Sequence, residues 1–162
     1  MWNDNTTVWR SAPAPVELER LTIDWIRQIL GFPPEAGGLF VSGGSMANLA
    51  ALTAARQTKE QSLGRLRMYA SSATHFSIIK AAALLGIGRE NVQTVAVDER
   101  FRMRVDDLVA RINAALEAGC IPFCLVGNAG TVDTWAFDPL GAVREVSPRY
   151  RPVVPGDGVF GP

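Results

Sequence analysis

Hydrophobic and polar positions alternate between two periods along the chain. From Pro15 to Leu30, residues Val16, Leu18, Leu21, Ile23, Trp25, Ile26, Ile29 and Leu30 repeat at helical spacing, and Pro15 suits a first helical turn. Gly31 and the pair Pro33-Pro34 then stop the helix. Gly38 to Val41 is a short apolar run that predicts a strand, and Ser42-Gly43-Gly44-Ser45 predicts a turn. The Ala- and Leu-rich stretch from Met46 to Thr58 predicts the next helix. The pattern then repeats. Strands are expected at Leu66 to Ala70, Val92 to Val97, Ile121 to Val126 and Pro152 to Val154. Helices are expected at His75 to Leu85, Val105 to Ala118 and Pro139 to Val146. The helix from Val105 is the clearest, with Asp106 and Asp107 at its positive end and Gly119 just past its last turn.

Strands that alternate with helices define an α/β fold: a mostly parallel sheet, helices on both faces, right-handed crossovers. Ligands in such sheets bind beyond the carboxyl ends of the strands, so the loops after strands are where chemistry is to be sought.

Composition narrows the classes. The 162 residues suit one domain, and nearly half are hydrophobic, enough to fill a core. Sixteen basic and sixteen acidic side chains cancel, which argues against a grip on nucleic acid or an anionic membrane. No apolar run approaches the ~20 residues that span a bilayer. The polar start Met1-Trp2-Asn3-Asp4-Asn5 does not read as a signal peptide. Cys120 and Cys124 flank an extended segment that would hold them ~13 Å apart, too far for a disulfide. Buried, reduced cysteines and a cytoplasmic setting are expected.

Four post-strand loops carry the candidate chemistry. Val41-Ser42-Gly43-Gly44-Ser45-Met46-Ala47-Asn48 runs from strand to helix, where free N–H groups and the helix dipole favour an anion such as phosphate. A tight turn with Ser45 as N-cap reads equally well. The loop is neither a Walker loop nor a Gly-x-Gly-x-x-Gly fingerprint. Ser71-Ser72-Ala73-Thr74-His75-Phe76-Ser77 holds the single histidine, which argues against a histidine-based metal site. His75 is either structural or turned towards a ligand. Gly127-Asn128-Ala129-Gly130-Thr131-Val132-Asp133-Thr134, with Phe137-Asp138, is polar and long enough to line a site or simply to turn the chain. In Pro155-Gly156-Asp157-Gly158, Asp157 could pair with a cationic ligand atom or serve as a turn residue.

Taken in order, these segments resemble one family. Gly38-Leu39-Phe40-Val41-Ser42-Gly43-Gly44-Ser45-Met46-Ala47-Asn48-Leu49 with Ala54-Ala55-Arg56 is similar to the cofactor-phosphate loop of the group II pyridoxal-phosphate-dependent amino-acid decarboxylases. That family includes aromatic-amino-acid, glutamate, histidine and diaminobutyrate decarboxylases. His75-Phe76-Ser77-Ile78-Ile79-Lys80-Ala81 resembles its His-x-Ser-x-x-Lys-Ala segment. Gly127 to Val132, then Phe137-Asp138-Pro139-Leu140, and upstream Ser11 to Glu19 resemble further family stretches. Nearly the whole chain is covered.

The resemblance implies the front part of a type I (aspartate aminotransferase-like) large domain, with residues 1–14 as a lead-in and 15–162 as the core. It implies the cofactor pyridoxal 5′-phosphate, a small-molecule amino-acid substrate and a homodimer. Gly44, Ser45 and Met46 would offer N–H groups to the phosphate, and Ser45 a hydroxyl as well. His75 would stack on the pyridine ring. Asp157 would pair with the ring nitrogen and keep its proton on, so that the ring can delocalise the charge left at Cα. Thr131 and Asp138 would line the same pocket. Pro155-Gly156 and Trp135 depart from the family pattern. The lysine that carries the cofactor in the family is expected downstream of Pro162. Lys59 and Lys80, the chain's only lysines, fall on predicted helices. Little or no decarboxylation is therefore expected from the isolated chain. A non-catalytic remnant is the second reading, and a nucleotide-binding α/β domain the third.

Overall fold

The computed structural model describes residues 9–57, 63–150 and 156–157. The chain divides into two compact units, Met1–Ser42 and Gly43–Pro162.

In the first unit, α1 spans Pro13–Ile29. Asp24 ties its exposed face together, accepting bonds from Arg27 and Gln28. The strand expected at Gly38 to Val41 does not form; these residues have no regular structure. The Phe40 N–H, which a neighbouring strand would have claimed, donates to the Glu19 carboxylate of α1 at 3.1 Å. Gly38 lies so close to Ile23 that a Cβ there would sit 3.1 Å from its side chain. The apolar run thus packs on the helix instead of joining a sheet.

The second unit is the α/β body. Its elements are α2 (Gly44–Gln57), β1 (Leu66–Ser71), α3 (Ser77–Leu84), β2 (Val92–Val95), α4 (Val105–Glu117), β3 (Ile121–Asn128), α5 (Leu140–Tyr150) and β4 (Gly156–Asp157). Short 3₁₀ turns precede β1 and β2. The strand order is β2-β1-β3-β4, and every pairing is parallel. From β1 the chain steps outward to β2 and then returns across to β3. The order therefore reverses between β1 and β3, the kind of switch point at which open α/β sheets bind ligands.

Both faces of the sheet are covered, as the alternating pattern requires. On one face Leu66, Met68 and Ala70 of β1 and Phe123, Cys124 and Val126 of β3 pack against Leu52 of α2 and Ile78 and Ala82 of α3. On the other, Tyr69, Val95 and Leu125 meet Leu108 and Ile112 of α4 and Val143 and Val146 of α5. The register of β1 on β3 shifts between Arg67 and Met68, which face Pro122 and Cys124. Phe123 is the extra residue of this irregularity, which is why adjacent Phe123 and Cys124 serve the same core.

Several boundaries differ from the sequence expectations for identifiable reasons. Strand β2 stops at Val95 because the Ala96 N–H donates to the Asp107 carboxylate of α4 at 2.8 Å. The guanidinium of Arg111 holds that carboxyl below the usual carboxylate range, helped by the Ala96 N–H. Helix α3 begins at Ser77, so His75 lies in the loop before it. Helix α5 runs one turn beyond its expected end at Val146. The strand expected at Pro152 to Val154 falls outside the described residues, and β4 follows it instead at Gly156–Asp157. Both cysteines are free, but only Cys124 is buried; Cys120, at the edge before β3, is half-buried.

Tyr69 is fully buried, yet its hydroxyl has no hydrogen-bond partner among the described residues. Burial pushes its pKa up to about 12. An unsatisfied buried hydroxyl costs about 1–3 kcal/mol. Tyr69→Phe is therefore expected to leave stability unchanged or raise it by about 1 kcal/mol, read as a higher urea midpoint at constant slope. A loss of more than about 1 kcal/mol would show that the hydroxyl is bonded.

Candidate functional site

The carboxyl ends of β1 and β3 are joined by one hydrogen-bond network. Asn128, the last residue of β3, sends its side-chain amide to Ser71 Oγ at 3.0 Å, Thr74 Oγ1 at 3.0 Å and Asp138 Oδ2 at 2.8 Å. Its own backbone N–H also donates to Asp138 Oδ2, and its carbonyl accepts from the Asp138 N–H. The other oxygen of Asp138 accepts the Met103 N–H at 2.7 Å. Asp138 is buried, and its carboxylate is wholly engaged in clamping the 103 and 128 segments together. Thr131 is buried too. Its hydroxyl bonds to Thr134 and accepts the Ala136 N–H, closing the loop that follows β3. Asp157 is placed by its backbone, paired in register with Asn128 at the same end of the sheet.

The turn into α2 is the candidate anion site. Gly43 adopts φ +150, and its carbonyl accepts the N–H groups of both Met46 and Ala47 at 3.0 Å. The Gly44 and Ser45 N–H groups and the Ser45 hydroxyl have no partner among the described residues, and both residues are exposed. Two free N–H donors and a hydroxyl at a helix N-terminus fit a phosphate. Of the three N–H groups expected to be available, the Met46 one is turned inward to Gly43.

His75 sits half-buried in the loop after β1, and its ring is anchored by Ser77. Ser77 also receives a bond from Asn48 of α2, so the phosphate turn and the histidine loop are connected through α3. A cleft of about 350 Å³ opens beside His75, lined by Ser72, Thr74, Phe76, Val132 and Asp133. A larger depression of about 650 Å³ lies on the Val97–Arg104 loop. There Asp98 is paired with Arg102 at 2.7 Å and held down to about pKa 2 by that guanidinium, so its charge is already spent. The cleft beside His75, whose ring nitrogen Nδ1 is held by Ser77, is the candidate site. No group of three or more His, Cys, Asp or Glu side chains among the described residues could hold a metal. No described helix is long and apolar enough to cross a membrane.

Ser71, Thr74, Asn128, Asn48 and Ser77 were not assigned roles from sequence. For Ser71, Asn128 and Ser77 the signal is position, a polar residue at the last place of a strand or the first of a helix; Thr74, in the loop after β1, and Asn48, one turn into α2, carry none.

A parallel sheet with a phosphate-ready helix N-terminus and polar groups gathered at its switch point defines a cofactor-binding α/β domain. Residues 1–153 match the pyridoxal-dependent decarboxylase conserved domain, and the chain belongs to that family. It is 38% identical over 156 residues to an aromatic-L-amino-acid decarboxylase of Bacillus atrophaeus, covering 96% of this chain and 32% of that protein. Its fold is that of the family's type I large domain. It superposes with a TM-score of 0.93, at 28% identity, on the glutamate decarboxylase domain of a diaminobutyrate-pyruvate transaminase and L-2,4-diaminobutyrate decarboxylase from Vibrio parahaemolyticus. That match covers 98% of this chain and 38% of the other. A third relative, Oryza sativa TDC, was solved with PLP and tryptamine; it matches at TM-score 0.76 and 28% identity over 91% of this chain and 34% of its own. The chain spans about a third of the length of the curated relatives it matches. The family's cofactor is pyridoxal 5′-phosphate.

Proposed function

We propose that this chain supplies the phosphate-binding and ring-holding part of a pyridoxal-phosphate-dependent carboxy-lyase acting on an L-amino acid. The observation that carries this reading is the pair of free N–H groups at Gly44 and Ser45, joined through Asn48 and Ser77 to the only histidine of the chain.

The residues divide the work as follows. Gly44 and Ser45 bind the phosphate through their N–H groups and the Ser45 hydroxyl, with Met46 closing the turn behind them. His75 would stack on the pyridine ring. Asp157, at the end of β4, would hold the proton on the ring nitrogen by its negative charge. Thr131 and Asp138 hold the loop after β3 and the end of that strand in place, and so fix where Asn128 and Asp157 stand. When bound, the cofactor supplies an electron-poor ring that stabilises the negative charge left at Cα as carbon dioxide departs.

For the 162 residues alone we propose cofactor binding without turnover. The ammonium of Lys80 rests 4.3 Å from the centre of the Phe76 ring, engaged in a cation–π contact on the flank of α3. Lys59 lies outside the described residues. Both units belong in this reading to one large domain, in a cytoplasmic homodimer. The exposed apolar positions Leu18, Trp25 and Ile29 of α1 support burial by further chain. The second reading, a non-catalytic relative that holds the cofactor weakly or pairs with a longer relative, rests on the same lysine observation.

The test adds pyridoxal phosphate to the purified chain. Absorbance should shift on binding, and the label should wash out after borohydride treatment, as for a cofactor held by contacts alone. Label retained after reduction, or carbon dioxide released from an added amino acid, would overturn the reading of the chain alone. Failure of pyridoxal phosphate to bind at millimolar concentration would sink the cofactor reading itself.

A further inference from the structure

We infer that Asn48 and Ser77 are positioning residues that fix which nitrogen of His75 carries the ring proton. The inference deepens the cofactor reading above and rests on it for its relevance to catalysis, although the proton's position is set by this chain's own bonds.

The chain of bonds has only one consistent direction. Ser77 N–H points at His75 Nδ1 at 3.3 Å, and a backbone N–H can only donate. His75 Nδ1 is therefore an acceptor. Ser77 Oγ lies 2.8 Å from the same nitrogen, and since Nδ1 has no proton to give, the hydroxyl must donate its own. With that proton committed, Ser77 Oγ can only accept from elsewhere. The Asn48 amide nitrogen, 3.0 Å away, is a donor and completes the line. The backbone N–H settles the direction independently of how the Asn48 amide is turned. The ring proton must then reside on Nε2, at the opposite edge of the imidazole from Ser77.

Burial gives the arrangement force. Asn48 and Ser77 are both buried, so each lost bond leaves a polar group without water to replace it. Asn48 sits one turn into α2, the helix whose first residues present the phosphate donors, and Ser77 opens α3. The helix that holds the phosphate thus also sets the donor on the histidine. His75 offers an Nε2–H at the ring edge away from Ser77, and the same bonds stop the ring from flipping about its Cβ–Cγ axis. A stacked ring that could flip would present a donor or an acceptor at random.

Because the chain has one histidine, its imidazole nitrogens can be assigned without ambiguity in a ¹⁵N-labelled sample. The experiment uses the full 162-residue chain without cofactor, at a pH well above the ordinary imidazole value of about 6.5. The wild-type ring should carry its proton predominantly on Nε2, with a minor Nδ1–H share. Asn48→Leu frees the Ser77 hydroxyl to accept, and Ser77→Ala removes the donor to Nδ1. In each, the share of the Nδ1–H form should rise about fivefold, the effect of one hydrogen bond of about 1 kcal/mol. Ser77→Thr keeps the hydroxyl and should restore the wild-type ratio. A wild-type ring protonated on Nδ1 overturns the inference and requires no variant to fold. An unchanged ratio in Asn48→Leu or Ser77→Ala, with an intact circular dichroism spectrum, overturns it as well. The cofactor titration described above fails or succeeds separately: a locked ring in a chain that does not bind pyridoxal phosphate would uphold the tautomer and remove its catalytic meaning.

Discussion

Replacing Asp138 with alanine should lower the free energy of unfolding by about 4 kcal/mol, near the top of the range for single substitutions. The carboxylate accepts from Met103 N and Asn128 N, backbone donors of two buried residues. Each amide left bare costs about 1–3 kcal/mol, and the removed side chain leaves a small void as well. The Asn128 side-chain amide is less affected, because Ser71 and Thr74 still accept from it. Asp138→Asn keeps only one of the two acceptor oxygens and turns its NH2 towards the donor at the other, so it should cost nearly as much as alanine. Urea unfolding followed by circular dichroism measures both. A cost for Asp138→Ala below about 1 kcal/mol would mean that the clamp is not formed in solution.

The second large effect is expected at the turn into α2. Ser45→Asp places a carboxylate where the proposed phosphate would sit. Two unit charges about 4 Å apart repel by about 4 kcal/mol at the effective dielectric of a protein surface. Pyridoxal phosphate affinity should therefore fall a hundredfold or more, since each tenfold corresponds to about 1.4 kcal/mol. An acidic residue in the first turn of a helix favours the helix dipole, so stability should hold or rise slightly. Pyridoxal, which lacks the phosphate, is the internal control: its weaker binding should be nearly unchanged. Equal losses for both ligands would mean that the turn does not hold the phosphate. Unchanged affinity for pyridoxal phosphate would exclude the turn from the site altogether.

Much of the α/β body was legible because its signals are local or periodic. Helix α4 carries acidic residues at its start, a glycine after its end and apolar positions at helical spacing, and the structure places it within one residue of the expected range. Strands β1 and β3 are apolar on both faces, as buried parallel strands must be, and both were found. The failures came from side chains that capture backbone groups at a distance in sequence. Glu19 takes the Phe40 amide across 21 residues and cancels a strand. Asp107 takes the Ala96 amide across 11 and shortens another. No window of local pattern contains either event.

The site divides in the same way. The Gly43-Gly44-Ser45 turn and His75 stood out by residue type, whereas the contacts that organise them did not. Asp138 was singled out as a pocket residue; its geometry is that of a clamp on the end of β3, a role visible only once Met103 and Asn128 are brought to it. The free N–H groups at Gly44 and Ser45 followed from the turn, but the inward bond of Met46 N–H depended on the φ that Gly43 adopts.

The order of the strands also governs when each part of the sheet can be completed as the chain leaves the ribosome. Strand β1 emerges early and can pair with β2 after a short connection, since Met68 faces Val92. Its other edge must wait for β3, where Leu66 faces Ile121 more than fifty residues later. Until then the apolar strand at the centre of the finished sheet is an open edge, with unpaired amides and hydrophobic side chains exposed together. Parallel pairings across such separations form slowly, because the loop must close before the contact repays it. The switch point between β1 and β3 is therefore also a place where the nascent chain stays unprotected while the intervening residues are made, and where a chaperone has an edge to cover.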